Sequence, residues 1–181
     1  MTNPVASDDR PVFLTGFMAS GKSTVGELLA HSLGRRFLDT DTLVEEHEGR
    51  SIERIFEESG EDRFRELEGE ILRSLEQRRG VVVATGGGLF LSYEQRRWMI
   101  ARGRTVWLDL PLETVRRRLA EAGAGDRARP LWSADDPPAL RAFFERRRAV
   151  YALAEIRVEA VSGSAAEVAR RIRERLDPPR R

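Results

Sequence analysis

An α/β fold with a parallel sheet is the class this sequence predicts, and three observations predict it. Short apolar runs alternate with stretches at helical spacing from residue 12 to residue 176. Val81 to Ala84 is continuously apolar and does not alternate, the mark of a strand covered by helices on both faces. A GxxxxGK[ST] pattern, Gly16 to Ser23, lies between the first apolar run and the first helical stripe. At 181 residues the chain is near the size of one domain. The expected organisation is a flexible tail over 1–10, a single domain over 11–176 and a short tail over 177–181.

Pro11 introduces the first strand, Val12 to Leu14, which ends at Thr15 and Gly16. A helix follows with the stripe Val25, Leu28, Leu29 and Leu33, and Gly34 is placed to end it. Phe37 and Leu38 form a brief strand running into Asp39, Thr40 and Asp41. Ser51 is the N-cap of a short helix carrying Ile52, Ile55 and Phe56, which Gly60 stops. A longer helix runs through Phe64, Leu67, Ile71, Leu72 and Leu75. After Val81 to Ala84 come three glycines, a helix over 93–102, a strand from Thr105 to Leu108 and a helix through Val115 and Leu119. Ala122 to Pro138 has two glycines, three prolines and no periodicity, the composition of a functional lid. Leu140, Phe143 and Phe144 begin a helix reaching Tyr151, Ile156 to Val158 is the last strand, and Val168, Ile172 and Leu176 line the closing helix.

The 31 basic and 30 acidic residues leave a net charge of +1, so no global field steers the chain onto nucleic acid or an anionic membrane. With no cysteine, disulfides, thiol catalysis and thiolate metal sites are excluded. Met1 to Arg10 lacks the apolar core of a signal peptide, and no run approaches the ~20 apolar residues that span a bilayer. A cytoplasmic location is expected. Every basic residue but one is arginine, and the single lysine is Lys22.

That lysine closes the glycine pattern. Glycines let successive backbone N–H groups turn inward onto phosphate oxygens, and a helix beginning near Lys22 adds its positive end. Lys22 is placed to reach the outer phosphates of a nucleotide, and the Ser23 hydroxyl to ligate Mg²⁺. Asp39 and Asp41 stand two residues apart after the second strand, so in extended chain both carboxylates point the same way at the ligand-binding edge of the sheet. The alternative is a turn in which Asp41 caps the next helix. Gly86, Gly87 and Gly88 let a backbone approach a ligand closely, or form an ordinary turn. Arg65, with Glu68 one helical turn on, is either a ligand-binding arginine or a solvated one. Arg129, directly before Pro130 in the irregular segment, is placed to close over transferring phosphates. Arg146 to Arg148 read as a charged helix face, with Arg147 one turn from Tyr151. His31 and His47 have no partner at metal spacing and are expected on the surface.

Together these residues resemble the shikimate kinases over roughly 11–176. Gly16 to Gly26 is similar to the family's phosphate loop, with Ala19 where glycine is usual, and Phe37 to Asp41 to its aspartate motif. Gly49 to Phe56 and Gly60 to Glu68 resemble its substrate-binding helices, and Thr85 to Gly88 and Arg129 to Leu131 its glycine triplet and lid. The resemblance implies a three-layer P-loop nucleotide-binding fold of the nucleoside-monophosphate-kinase type, with five parallel strands, a substrate-binding region at about 42–70 and a lid at about 122–138. It implies ATP-dependent phosphorylation of shikimate to shikimate 3-phosphate, in chorismate and aromatic amino-acid biosynthesis, by a monomer using Mg²⁺. Nucleotide would be held by Gly16, Ala19, Ser20, Gly21, Lys22, Ser23, Thr24, Arg117 and Arg129, with Arg118 the alternative to Arg117 against adenine. Shikimate would be held by Asp41, Arg65, Gly86, Gly87, Gly88 and Arg147, with Arg148 the neighbouring candidate. Metal would sit on Ser23 and Asp39, and Lys22, Asp41 and Arg129 would be catalytic. Two departures stand beside Ala19: Trp132 follows the lid's Arg-Pro-Leu where leucine is usual, and Ala149 with Val150 replaces the family's alanine-proline-leucine.

A kinase of the same build acting on another polyol acid such as gluconate is the nearest rival, since the phosphate loop reports ATP and not the acceptor. The paired aspartates and Phe64-Arg65 favour shikimate. A regulatory module without catalysis is opposed by the intact Lys22, Ser23, Asp39, Asp41 and Arg129. Nucleic-acid binding is opposed by interspersed acidic residues and the lack of an aromatic-basic stripe.

Overall fold

The structure, a computed structural model, describes residues 8–121, 137–161 and 163–177. Five strands, β1 (Val12–Thr15), β2 (Arg36–Asp39), β3 (Val81–Ala84), β4 (Arg104–Asp109) and β5 (Ile156–Glu159), form one sheet in the order β2-β3-β1-β4-β5. Every neighbouring pair is parallel, with Phe13 opposite Val83 on one side and Thr105 on the other. Among the described residues six α-helices lie between the strands, α1 (Lys22–Leu33), α2 (Thr40–Glu48), α3 (Ile52–Ser74), α4 (Tyr93–Arg102), α5 (Leu112–Glu121) and α6 (Pro137–Tyr151), and α7 (Ala165–Leu176) follows β5. The three-layer α/β architecture expected from the alternation is therefore present. The expected lid at 122–138, with Arg129 and Trp132, lies outside the described residues except for Pro137 and Pro138, which open α6.

Alternation along β1 explains the layers. Leu14 faces α1, where its Cδ1 lies 3.2 Å from where a Cβ on Gly26 would stand, while Phe13 meets the Trp98 ring of α4 edge-on at 6.1 Å. Successive side chains of a strand point to opposite faces, so α1 and α4 cover opposite sides of the sheet. Val12, Phe13, Leu14, Val81, Val82 and Val83 are all buried, as the unbroken apolar run requires of a central parallel strand. At the edge, β5 buries Ile156 and Val158 and exposes Arg157, which is why its pattern is weaker.

The buried face of α1 is Val25, Gly26, Leu29 and Ala30, and Leu28 of the expected stripe is 40% exposed. Small residues at 26 and 30 let the helix axis come close to the sheet, and at about 100° per residue Leu28 is rotated away from the face they define. Gly34 ends α1 in the left-handed region at φ 63°, as expected of a C-terminal cap. Ser51 caps α3 by accepting a hydrogen bond from the Arg54 N–H, and at Gly60 the backbone leaves helical geometry (φ 80°, ψ 175°) before the helix resumes. Gly60 thus ends one helical segment and begins the next within this span, as the sequence predicts. A small second core of Val44, Ile55, Phe64, Leu67 and Ile71 fixes α3 on α2 and so sets the direction of Arg65 and Glu68. Helix α2 has few buried residues, Thr40 and Val44, which is why its stripe is faint in the sequence. His31 and His47 are exposed, as expected, and no helix of the described residues is long and apolar enough to cross a membrane.

Gly26 tests the close approach of α1. A Cβ there would lie 2.5 Å from the Phe37 ring. Gly26→Ala is expected to lower stability by about 1–3 kcal/mol in urea denaturation, despite alanine's better helix propensity.

Candidate active site

The carboxyl ends of β1, β2 and β3 open into a cleft of about 440 Å³. Lys22, Ser23, Asp39, Asp41, Arg65, Gly86, Gly87, Gly88 and Arg147, all expected site residues, line it. At one end the chain leaves β1 and turns through Gly16 to Gly21 into α1. Gly21 occupies the N-cap in the left-handed region (φ 86°) and supplies no side-chain cap, so the first amides of α1 are left for an anion. Lys22 Nζ folds back over its own loop and donates to the carbonyls of Gly16 (3.1 Å) and Phe17 (3.0 Å).

Ala19 sits at φ 57°, a conformation that costs a residue with a Cβ about 1–2 kcal/mol. From α5, Arg118 donates to the Ala19 carbonyl (3.0 Å). Arg117, one residue earlier and therefore about 100° around the helix, is exposed and paired with Glu121 at 3.7 Å. Of the two arginines weighed against adenine, Arg118 is thus the one in contact with the phosphate loop in this structure.

Ser23 Oγ donates to Asp39 Oδ2 at 2.6 Å, which joins the two expected metal ligands directly. The other oxygen of Asp39 accepts from the Asp41 N–H at 3.0 Å and caps α2. The aspartates are therefore not two sites of an extended strand, and it is Asp39, not Asp41, that caps the helix. Asp41 reaches the cleft from the first turn of α2. An oxygen-only pair of one hydroxyl and one carboxylate suits Mg²⁺, which takes few protein ligands when it is borne by nucleotide phosphates.

At the other end of the cleft the glycine triplet makes room for charge. A Cβ on Gly86 would stand 2.5 Å from Glu68 Oε1 and 2.6 Å from Asp41 Oδ1. Both oxygens are buried and hold no hydrogen-bond partner within the protein. A Cβ on Gly88 would strike the Arg65 guanidinium. The Gly86 N–H is fixed by the Thr40 hydroxyl at 2.8 Å, and the Tyr151 hydroxyl donates to the Gly87 carbonyl at 2.5 Å. Arg65 donates to Glu68 Oε2 at 2.7 Å and to Glu61 at 2.8 Å. Arg147 projects from α6 across the Phe143 ring, 4.2 Å from its centroid, and its charge holds back the rise that burial gives the Tyr151 hydroxyl. Arg148 points elsewhere, to the buried Asp109 at 3.2 Å, which also holds Arg157. Between the two neighbouring arginines, geometry selects Arg147. Ile52, Phe56 and Phe64 supply an apolar wall.

Glu68 enters the sequence reading only as a holder for Arg65, yet it is the most deeply buried acid of the cleft. A signal was available: residues 64, 68, 71 and 75 form one helical stripe, and a glutamate there interrupts three apolar residues. Burial raises the Glu68 carboxyl to about 7 against the pull of Arg65, and burial together with the charge of Asp39 raises Asp41 to about 6. A raised carboxyl pKa in the folded state means that folding takes up protons, so stability is highest below the unfolded value and falls as pH rises through the folded one. The melting temperature is expected to drop between about pH 5 and 7.5 through Glu68 and Asp41. Glu68→Gln, scanned over the same range, is expected to remove the larger part of that drop.

Comparison with known proteins agrees with this geometry. The family model described as shikimate kinase matches residues 18–177. A shikimate kinase of Geobacter sulfurreducens is 47% identical over 165 residues, covering 91% of this chain and 89% of its own. The solved structure of a shikimate kinase from Acinetobacter baumannii in complex with shikimate superposes with a TM-score of 0.85 at 35% identity, covering 94% of each chain. A gluconokinase structure from Sinorhizobium meliloti shares the fold alone, at TM-score 0.55 and 19% identity over 90% of this chain and 89% of its own. On the site geometry, the matched residues and these identities together, the chain belongs to the shikimate kinase family.

Proposed function

We propose that this chain catalyses the transfer of the γ-phosphoryl group of ATP to a hydroxyl of shikimate, giving shikimate 3-phosphate and ADP. One observation carries the acceptor assignment. The cleft holds two buried carboxylate oxygens without a protein partner beside two guanidiniums, Arg65 and Arg147, next to the phosphate loop. A small polyhydroxy acid matches that array, because its hydroxyls donate to carboxylates and its carboxylate takes bidentate arginine.

The loop amides from Gly16 to Thr24, Ala19 and Ser20 included, hold the triphosphate, and Lys22 moves from the Gly16 and Phe17 carbonyls to its outer oxygens. Ser23 and Asp39 would hold Mg²⁺, which would neutralise charge on the phosphates. Asp41 accepts a hydrogen bond from the attacking hydroxyl and takes its proton as the new O–P bond forms and the bond to ADP breaks. Its carboxyl, near 6, is ionised at neutral pH and basic enough for that task. Arg65 and Arg147 grip the acceptor carboxylate, the amides of Gly86, Gly87 and Gly88 lie along the same wall, and Tyr151 fixes the Gly87 peptide. In-line transfer asks the protein mainly for such positioning and for neutralised charge. Arg129 and the lid at 122–138 complete the expected machinery, and Arg129 with residues 122–136 lies outside the described residues. The chain is read as one kinase domain over 11–176, with its substrate-binding region at about 42–70, acting as a cytoplasmic monomer without nucleic-acid or membrane partners.

ADP release with MgATP is expected to depend on shikimate and to be at background with gluconate or no acceptor. Lys22→Ala is expected to lower kcat at least about 10³-fold with the melting temperature retained. Arg147→Ala is expected to raise the shikimate KM about 10²-fold and Arg148→Ala to leave it within a few-fold. Equal effects of the two arginine changes would contradict the assignment.

A further inference from the structure

Among the described residues, Ala19 is the one non-glycine residue in the left-handed region, and it lies inside the phosphate loop. A Cβ disfavours that conformation by roughly tenfold or more, so the loop must be held in its binding shape by something else. Within the loop, the Ser20 N–H donates to the Phe17 carbonyl at a long 3.2 Å. Lys22 braces the carbonyls of Gly16 and Phe17, but its ammonium is the group that arriving phosphates claim. A brace that does not draw on Lys22 comes from α5. Arg118 places Nη1 on the Ala19 carbonyl at 3.0 Å and Nη2 on the Ala160 carbonyl at 3.4 Å. Ala160, just past β5, is itself fixed by donating its N–H to the Asp109 carbonyl at 2.9 Å. A planar fork holds the two carbonyls, on residues 19 and 160, with separate nitrogens at fixed geometry, which a single ammonium nitrogen does not reproduce.

We propose that Arg118 is a positioning residue that clamps the strained Ala19 peptide and so keeps the phosphate loop in its anion-binding shape before nucleotide arrives. The role is separate from any contact with the base, and it exists because residue 19 carries a Cβ. It rests on the assignment of Gly16 to Ser23 to nucleotide phosphates.

A double-mutant cycle over Arg118→Ala and Ala19→Gly tests it, with calorimetric binding of inorganic tripolyphosphate, which has no base, and of ADP. Each chain is first melted by circular dichroism, and Arg118→Lys, which reaches one carbonyl only, replaces Arg118→Ala if the latter does not fold. Arg118→Ala is expected to weaken tripolyphosphate about tenfold when residue 19 is alanine and about twofold or less when it is glycine. An equal loss in both backgrounds would overturn the clamp in favour of direct attraction between charges. A loss with ADP and none with tripolyphosphate would overturn it in favour of a base contact. No tripolyphosphate binding by the unsubstituted chain would contradict the phosphate-loop assignment itself, and the clamp with it.

Discussion

The acceptor end of this site depends on the ion pair between Glu68, whose side chain is 1% exposed, and Arg65, 2.7 Å away on the same helix. Taking a carboxylate out of water is expensive, and only a well-aligned partner offsets it, so burial of Glu68 dictates where Arg65 must stand. The surrounding sequence answers that demand. Position 86 lacks a Cβ because Glu68 and Asp41 occupy its space, and position 88 lacks one because the Arg65 guanidinium does. The kink at Gly60 and the small core under α3 set the direction from which both side chains enter. One Arg65 nitrogen pair is spent on Glu61 at the rim, which leaves the guanidinium half-exposed to the cleft.

Opposite this pair, α6 divides its two neighbouring arginines between structure and site. Arg148 joins Arg157 on buried Asp109 beside the Trp107 ring, which ties α6 to β4 and β5. Arg147 is then turned toward the cleft, where burial and the nearby Arg65 lower its pKa and Tyr151 supports its charge. Two guanidiniums facing one cavity repel each other, and a bound carboxylate relieves the repulsion. The same economy appears in α5, where Arg118 meets the phosphate loop and Arg117 meets solvent.

Much of the fold was legible because it rests on local rules. Unbroken apolar runs marked buried parallel strands, and glycines 34 and 60 marked a helix end and a break. The phosphate loop was legible because its spacing carries its chemistry. The directions of neighbouring side chains were not: Arg148 is turned away by Asp109, and Arg118 is drawn in by the Ala19 carbonyl, both distant in sequence. The paired aspartates do not have the extended geometry that their spacing suggests, since α2 begins at Thr40 and Asp39 is its cap. Their shared orientation toward the cleft comes from the first turn of that helix. The burial of Glu68 is not legible locally, because it depends on glycines some twenty residues away that leave its carboxylate room.

If the buried Glu68–Arg65 pair organises the acceptor site, shikimate should find that site formed without nucleotide. The most direct measurement is calorimetric titration of shikimate into the nucleotide-free chain and into Arg65→Ala. The account predicts saturable binding that falls by about 10²-fold or more in Arg65→Ala, with the affinity for ADP unchanged. Shikimate binding that survives the substitution intact would contradict it.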